Sequence, residues 1–341
     1  MEAPRTPTDL KIADTSIKPG LRATINIPVA RLHTHTQMTM PVHVIRGKKD
    51  GPVLFVCAAI HGDEILGVEI VRRLIQSKRL ARLRGTLLAV PVVNVFGFIN
   101  HSRYLPDRRD LNRFFPGSET GSLASRLAHI FMEEIVSKST HGIDLHTGSN
   151  HRINLPQVRA RLEDPQTRAM AEAFGAPVVV DANLRDGSLR QAVAEKGFPM
   201  LLYEAGEALR FDDAAVRAGI RGIRSVMGLI GMLPAETPKR GPASLLIANS
   251  TLWARAPISG LLRTQTQLGG RVAQNEPMGV IADPFGENEV TVISPGAGIV
   301  IGRTNLPLVH AGDAVFHIAA VDGETDENSG REESQEGFNR Q

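Results

Sequence analysis

Seven consecutive apolar residues, Val53 to Ala59, run without interruption into Ile60-His61-Gly62-Asp63-Glu64. An unalternating apolar run of that length reads as a strand buried on both faces, and such strands belong to parallel sheets with helices on either side. In open α/β sheets ligands gather at the carboxyl ends of the strands. This strand ends on a histidine and a carboxylate three residues apart, at a strand-to-helix junction from which both side chains can turn toward one point.

From Gly51 onward the chain alternates short β-rich runs with helical stretches. Glu64 to Leu80 has apolar residues at helical spacing (Ile65, Val68, Val71, Leu74, Ile75). Gly85 to Asn94 reads as the next strand, and Leu123 to Ser137 as a second amphipathic helix leading into a strand that ends at His146. Glu163 to Phe174 reads as a helix, Ala176 to Val180 as a strand, and Gly187 to Lys196 as a loop running into a helix. Pro199 to Tyr203 is a strand that delivers Glu204, and Phe211 to Leu229 a last long helix. The alternation predicts an α/β fold with a mixed, largely parallel sheet flanked by helices. Upstream, residues to about Pro41 read as polar and irregular with some alternation, and Met38 to Ile45 as a flanking strand; His33, His35 and His43 read as surface or strand-filling residues.

Pro234 and Pro238 break the pattern, which divides the chain into a catalytic domain over residues 1–236 and a small all-β unit over residues 240–321. Paired Pro-x-x-Gly turns, Pro257 to Gly260 and Pro295 to Gly298, hint at an internal pseudo-repeat in that unit. Residues 322–341 are polar and charged and are expected to be disordered.

Composition narrows the function classes. A net charge of +3, with basic and acidic residues interspersed, offers no footprint for nucleic acid. No segment supplies the roughly 18 to 20 apolar residues of a membrane span, the N-terminus lacks an apolar signal region, and Cys57 is the one cysteine. The expectation is a soluble, cytoplasmic protein with a core of ordinary size.

A second strand of the same kind closes in Gly142-Ile143-Asp144-Leu145-His146-Thr147-Gly148, so His146 is the candidate third partner of His61 and Glu64. Two imidazoles and one carboxylate leave a coordination position free, as in catalytic rather than structural zinc, and a free position admits the water of a hydrolysis. His61 and Glu64 by themselves also fit a plain helix N-terminus whose acids complement the dipole; the second strand-end histidine weighs for metal. Asp144 reads as a partner that orients a ligand. Between these strands lies an arginine-dense stretch, Ser102 to Gly117. Arg108 and Arg109 read as solvated, or as favouring a more acidic substrate. Arg113, beside Asn112 and ahead of Phe114 and Phe115, suits a bidentate clamp for a substrate carboxylate.

Four segments in this order, His61-Gly62-Asp63-Glu64, Asp110-Leu111-Asn112-Arg113 with Phe115-Pro116-Gly117, Asp144-Leu145-His146-Thr147-Gly148, and Glu204-Ala205-Gly206, resemble the succinylglutamate desuccinylase/aspartoacylase family of zinc carboxypeptidase-like hydrolases over roughly residues 50 to 210. The resemblance implies one zinc ion held by His61, Glu64 and His146, with Glu204 as the general base. It also implies a substrate carboxylate held by Asn112 and Arg113, and further arginines, Arg103 and Arg190, near the scissile carbonyl or the acyl group. The implied activity is hydrolysis of a small N-acylated amino acid or related amine that carries a carboxylate. Metallocarboxypeptidase action on peptides and non-catalytic ligand binding are the competing readings. The C-terminal unit resembles the barrel-sandwich carriers of biotin and lipoate, yet no lysine follows Lys239, which excludes covalent attachment there. Capping the site, narrowing access or building a homo-oligomer are the roles left for it.

Overall fold

The computed structural model describes residues 10–235 and 245–320. The tail expected to be disordered, and the break after Pro234 apart from Ala235, lie outside the described residues.

The N-terminal arm opens with a hairpin, β1 (Leu10–Ile12) and β2 (Thr15–Ile17), that buries Ile12 and Ile17. Two long strands follow, β3 (Arg22–Arg31) and β4 (Gln37–Arg46), paired antiparallel. β3 falls in the stretch expected to be irregular. Its Ile25, Ile27 and Val29 point inward while Thr24, Asn26 and Pro28 are exposed, and it forms one end of a 13-stranded sheet. Polar residues on the open face and a proline at the sheet edge, where the missing N–H costs nothing, disguise it in sequence.

The α/β alternation then runs as expected. β5 (Lys49–Ala58) leads to α1 (Leu66–Ile75), shorter than the helical spacing suggested because the chain tightens into a 3₁₀ turn at Lys78–Arg82 before β6 (Arg84–Val90). The short α2 (Val95–Ile99) and α3 (Leu123–Glu134) precede β7 (His141–Gly148), and β8 (Arg152–Ala160) follows it. β8 has no counterpart in the sequence reading. Next come α4 (Pro165–Phe174), β9 (Val178–Asp181), α5 (Leu189–Glu195), β10 (Met200–Glu207) and α6 (Asp213–Leu229).

β6, β5, β7 and β10 are parallel neighbours, in that order, so β5, β7 and β10 bring their carboxyl ends to one edge. Cys57 stands opposite Asp144, and His146 opposite Glu204. Period-two alternation sends Phe55 and Cys57 into a core with Leu127 and Phe131 of α3 and Leu189 and Val193 of α5. Leu54, Val56, Leu145 and Tyr203 face Ile70, Phe174 and Ile223 of α1, α4 and α6 on the other side. Both faces are covered, which is why these strands read as continuous apolar runs.

The C-terminal segment begins with β11 (Leu246–Ala248), which pairs with β9, and β12 (Thr251–Arg255). It continues through β13 (Gly260–Thr264), β14 (Arg271–Val272), β15 (Pro277–Ala282) and β16 (Glu289–Ile293) to β17 (Gly298–Thr304), β18 (Leu308–Val309) and β19 (Ala314–Ala320). Each Pro-x-x-Gly turn opens a strand, β13 or β17. β16, β15, β13 and β18 make a small antiparallel sheet over a core of its own, including Leu262, Met278, Ile281 and Phe316. β12, β19 and β17 instead extend the large sheet, because β17 pairs antiparallel with β8 through Gly302 and Asn154. The expected fold class, a mixed α/β sheet with a small C-terminal β unit, is the one observed. No helix among the described residues is long and apolar enough to cross a membrane.

Candidate active site

β5 ends in a kink. Ala59 takes φ 51°, a left-handed conformation that costs an L-residue energy, and the chain turns sharply to set His61 over the end of the sheet. Gly62 makes the turn possible, since a Cβ there would lie 2.0 Å from the carbonyl carbon of Gly97 in α2. His61, Glu64 and His146 are all buried, and one ligating atom from each falls within 4.8 Å of the others.

Glu64 is the hub of this cluster. Its Oε1 lies 2.8 Å from His61 Nδ1, and its Oε2 lies 2.7 Å from His146 Nδ1 and accepts from the Thr147 amide at 3.0 Å. The opposite ring nitrogens are backed by carboxylates. His61 Nε2 is 3.0 Å from Asp110 Oδ1, and His146 Nε2 is 2.8 Å from Asp144 Oδ2. Burial acts to raise the Glu64 carboxyl, but the two imidazoles outweigh it and hold the group well below the usual carboxylate range. Burial acts to lower His146, and Asp144 with Glu64 overrides it, raising the imidazole well above its ordinary value. Asp110 is likewise held low against its burial, by the His61 hydrogen bond and charge and then by Arg103.

The donor set fits a metal ion. With the proton on Nε2 facing the carboxylate behind each ring, Nδ1 would be free to face a metal at the shared point, the arrangement that orients histidine ligands in metal sites. Carboxylates around both rings favour the positive charge of a divalent ion there. Cys57, fully buried, donates its S–H to Asp144 Oδ1 at 3.3 Å, and burial first and then Asp144 push its thiol well up, so it stays a neutral donor.

Arg103 joins the cluster. Its Nη1 is 3.1 Å from both His61 Nδ1 and Glu64 Oε1, and its Nη2 donates to Asp110 Oδ2 at 3.0 Å. Asp110, quoted in the sequence motif but given no role there, thus ties His61 to Arg103. It also caps the 3₁₀ turn Leu111–Arg113 by accepting from the Asn112 amide at 2.9 Å. Asn112 is buried and its Oδ1 accepts from Leu189 N, anchoring the start of α5; Arg113 Nη1 donates to the Asn112 carbonyl at 2.7 Å. Arg190, on α5, gives its guanidinium to the carbonyls of Ala182 and Asn183, and burial with the charge of Arg159 pulls it down to about 10. Arg108 and Arg109 are exposed, Arg109 lying over the Phe114 ring at 5.5 Å.

Glu204 is half-buried in β10, directly opposite His146 in the parallel ladder, so both side chains rise from one face of the sheet. Its Oε2 accepts from Asn154 Nδ2 at 2.9 Å. Asn154 was missed in sequence because the strand that carries it was missed, and nothing local marks it.

A buried two-histidine, one-carboxylate set with arginine beside it fits the site of a metal-dependent hydrolase. Residues 50–230, more than half of the chain, match the catalytic domain of succinylglutamate desuccinylase/aspartoacylase, and the protein belongs to this family of metal-dependent deacylases. It is 26% identical over 294 residues to the N-alpha-acetyl-L-2,4-diaminobutyric acid deacetylase of Halomonas elongata, covering 83% of this chain and 86% of that one. Among solved structures it resembles a succinylglutamate desuccinylase/aspartoacylase from Rhodobacter sphaeroides, with 27% identity, a TM-score of 0.79, and coverage of 90% and 97% of the two chains. The product-bound ectoine utilization protein EutE (DoeB) from Ruegeria pomeroyi shares the fold, with a TM-score of 0.81, 23% identity, and coverage of 93% and 100%.

Proposed function

We propose that this protein is a zinc-dependent deacylase that hydrolyses the amide of a small N-acylated amino acid bearing a free carboxylate. Nα-acetylated diamino acids are the first class to test. The observation that carries this reading is the convergence of His61 Nδ1 and His146 Nδ1 on the Glu64 carboxylate, with Glu204 on the adjoining strand. Two imidazoles and one carboxylate are a three-ligand set of the kind catalytic zinc occupies. The substrate class is supported by the printed activity of the Halomonas relative.

A zinc ion bound by His61, Glu64 and His146 would supply Lewis acidity to a water molecule and to the amide carbonyl. Glu204 takes the proton from the attacking water at a carboxylate oxygen and returns it to the leaving amine, which must be protonated to depart. Arg103, fixed between Glu64 and Asp110, stabilises the negative charge that develops on the carbonyl oxygen. Arg113 and Asn112 hold the substrate carboxylate, and Arg190 adds positive charge near Glu204. The same reading puts the reaction in the cytoplasm, where a lone, buried Cys57 has no disulfide to form.

The test is a panel of N-acetyl and N-succinyl amino acids, including Nα-acetyl-2,4-diaminobutyrate, set against short peptides with free C-termini, using zinc-loaded protein. Turnover of N-acyl amino acids that is lost in Glu204→Ala supports the proposal. Turnover of peptides alone would make the protein a carboxypeptidase, and a zinc-loaded protein inactive on both sets overturns the reading.

A further inference from the structure

Glu204 does not hold its carboxylate in place by itself. Asn154 Nδ2 reaches its Oε2 at 2.9 Å across the β8–β10 pair. A carboxylate only accepts, so the amide NH₂ faces Glu204 and the amide oxygen faces away. That oxygen turns toward Gly302 of β17, where a Cβ would lie 2.8 Å from Asn154 Oδ1 and 3.3 Å from His317 Cβ. Gly302 has no left-handed φ, so its backbone would accept any residue. A side chain there would press on the Asn154 amide and displace it.

The ladder itself is adjusted at this point. Glu204 pairs with Gln157, and a regular antiparallel register would then set Leu155 opposite Gly206; the pairing shifts instead, and Asn154 takes that place. A one-residue shift turns a side chain from one face to the other, which is how a bulge re-aims a residue beside a site. β17 is pinned to the same end of β10 by a second contact, Asn305 Nδ2 to Glu207 Oε2 at 3.0 Å, and Gln157 Nε2 reaches the Ile301 carbonyl at 3.4 Å.

We infer that Asn154 is a positioning residue for Glu204, and that Gly302 reserves the space in which Asn154 does this, so the C-terminal strand acts on the reaction without touching substrate. This rests on the reading of Glu204 as the proton carrier. A hydrogen bond to a charged group typically contributes about 1.5–3 kcal/mol, or roughly tenfold to a hundredfold in rate where it holds a reacting group.

The experiment compares Asn154→Ala, Asn154→Asp, Gly302→Ala, the Asn154→Ala/Gly302→Ala double variant and Glu204→Ala as zinc-loaded full-length proteins, with kcat, KM, bound zinc and melting temperature measured for each. Asn154→Ala should lower kcat roughly tenfold to a hundredfold while KM stays within about twofold and bound zinc is unchanged. Asn154→Asp fills the same space without a donor at neutral pH, so a loss at least as large identifies the donated hydrogen bond rather than packing. Gly302→Ala should lose activity in the same direction, and the double variant should be no worse than Asn154→Ala alone, because both act through one contact. Wild-type kcat in Asn154→Asp, or additive losses in the double variant, overturns the inference while an inactive Glu204→Ala leaves the reading of Glu204 standing. Full activity in Glu204→Ala overturns that reading and the inference with it.

Discussion

Asp144 Oδ2 lies 2.8 Å from His146 Nε2, at the far end of the ring from Glu64, on a strand where the two residues are separated by Leu145 alone. Strand alternation sends Asp144 and His146 to one face and Leu145 to the other, so the carboxylate reaches its histidine with no rearrangement. With zinc bound, it would hold the proton on Nε2 and leave Nδ1 to serve as the ligand. Asp144→Asn should weaken zinc binding by roughly tenfold to a hundredfold with the fold intact, as read by competition with a chelator. Unchanged affinity would remove Asp144 from the site.

Purified protein should carry about one zinc per chain, and dialysis against a chelator should abolish turnover and lower the melting temperature. A ligand that binds only the native state contributes about 4 kcal/mol when its free concentration is a thousand times its Kd. His61→Ala and Glu64→Ala should each lose the ion, as measured by elemental analysis.

Glu204→Gln removes the proton acceptor but keeps its shape. Proton transfer by a placed side chain is worth roughly a hundredfold to ten-thousandfold, so kcat should fall within that range while bound zinc remains, a combination that separates loss of chemistry from loss of the site.

His317 stacks on Trp253 with centroids 4.0 Å apart and rings 2° from parallel, is buried, and has no hydrogen-bond partner at Nε2 among the described residues. Burial first, then the charges of Arg159 and Arg152, push its imidazole well below the ordinary value. The unfolded chain takes up a proton near pH 6.5 and the native form does not, so the unfolded state binds more protons below that pH. The stability present above pH 6.5 is therefore lost as pH falls, by up to about 1.4 kcal/mol per pH unit until the native imidazole also titrates. Denaturant melts at pH 7 and pH 5 should show this slope, and His317→Gln should flatten it.

Phe131 is fully buried, edge-on to Phe55 at 5.8 Å and to Phe115 at 6.1 Å. Phe131→Ala opens a cavity between α3 and β5 and should cost about 3–5 kcal/mol in a denaturant titration. A loss below about 1 kcal/mol would mean the neighbouring rings collapse into the space.

The parallel strands were legible because both of their faces are covered, which makes Val53 to Ala59 a run that fits little else. β3 and β8 were not. Pro28 and the open polar face hide the first, and Pro156 with Arg152, Asn154, Gln157 and Arg159 hides the second, whose polar residues line the site side of the sheet instead of a core. With β8 went Asn154, and with it the register shift that sets the amide against Glu204.

The covalent order of the chain settled which kinds of side chain stand at the strand ends, since a histidine or carboxylate that closes an apolar run can be read from neighbours a few residues away. The partnerships belong to the folded molecule. Asp110 backing His61 across 49 residues, Cys57 supporting Asp144 across 87, and Gly302 making room for an amide that holds Glu204 exist because the sheet brings distant strands into one register. Such contacts depend on distances of a few ångströms between atoms, and local sequence pattern carries no record of them.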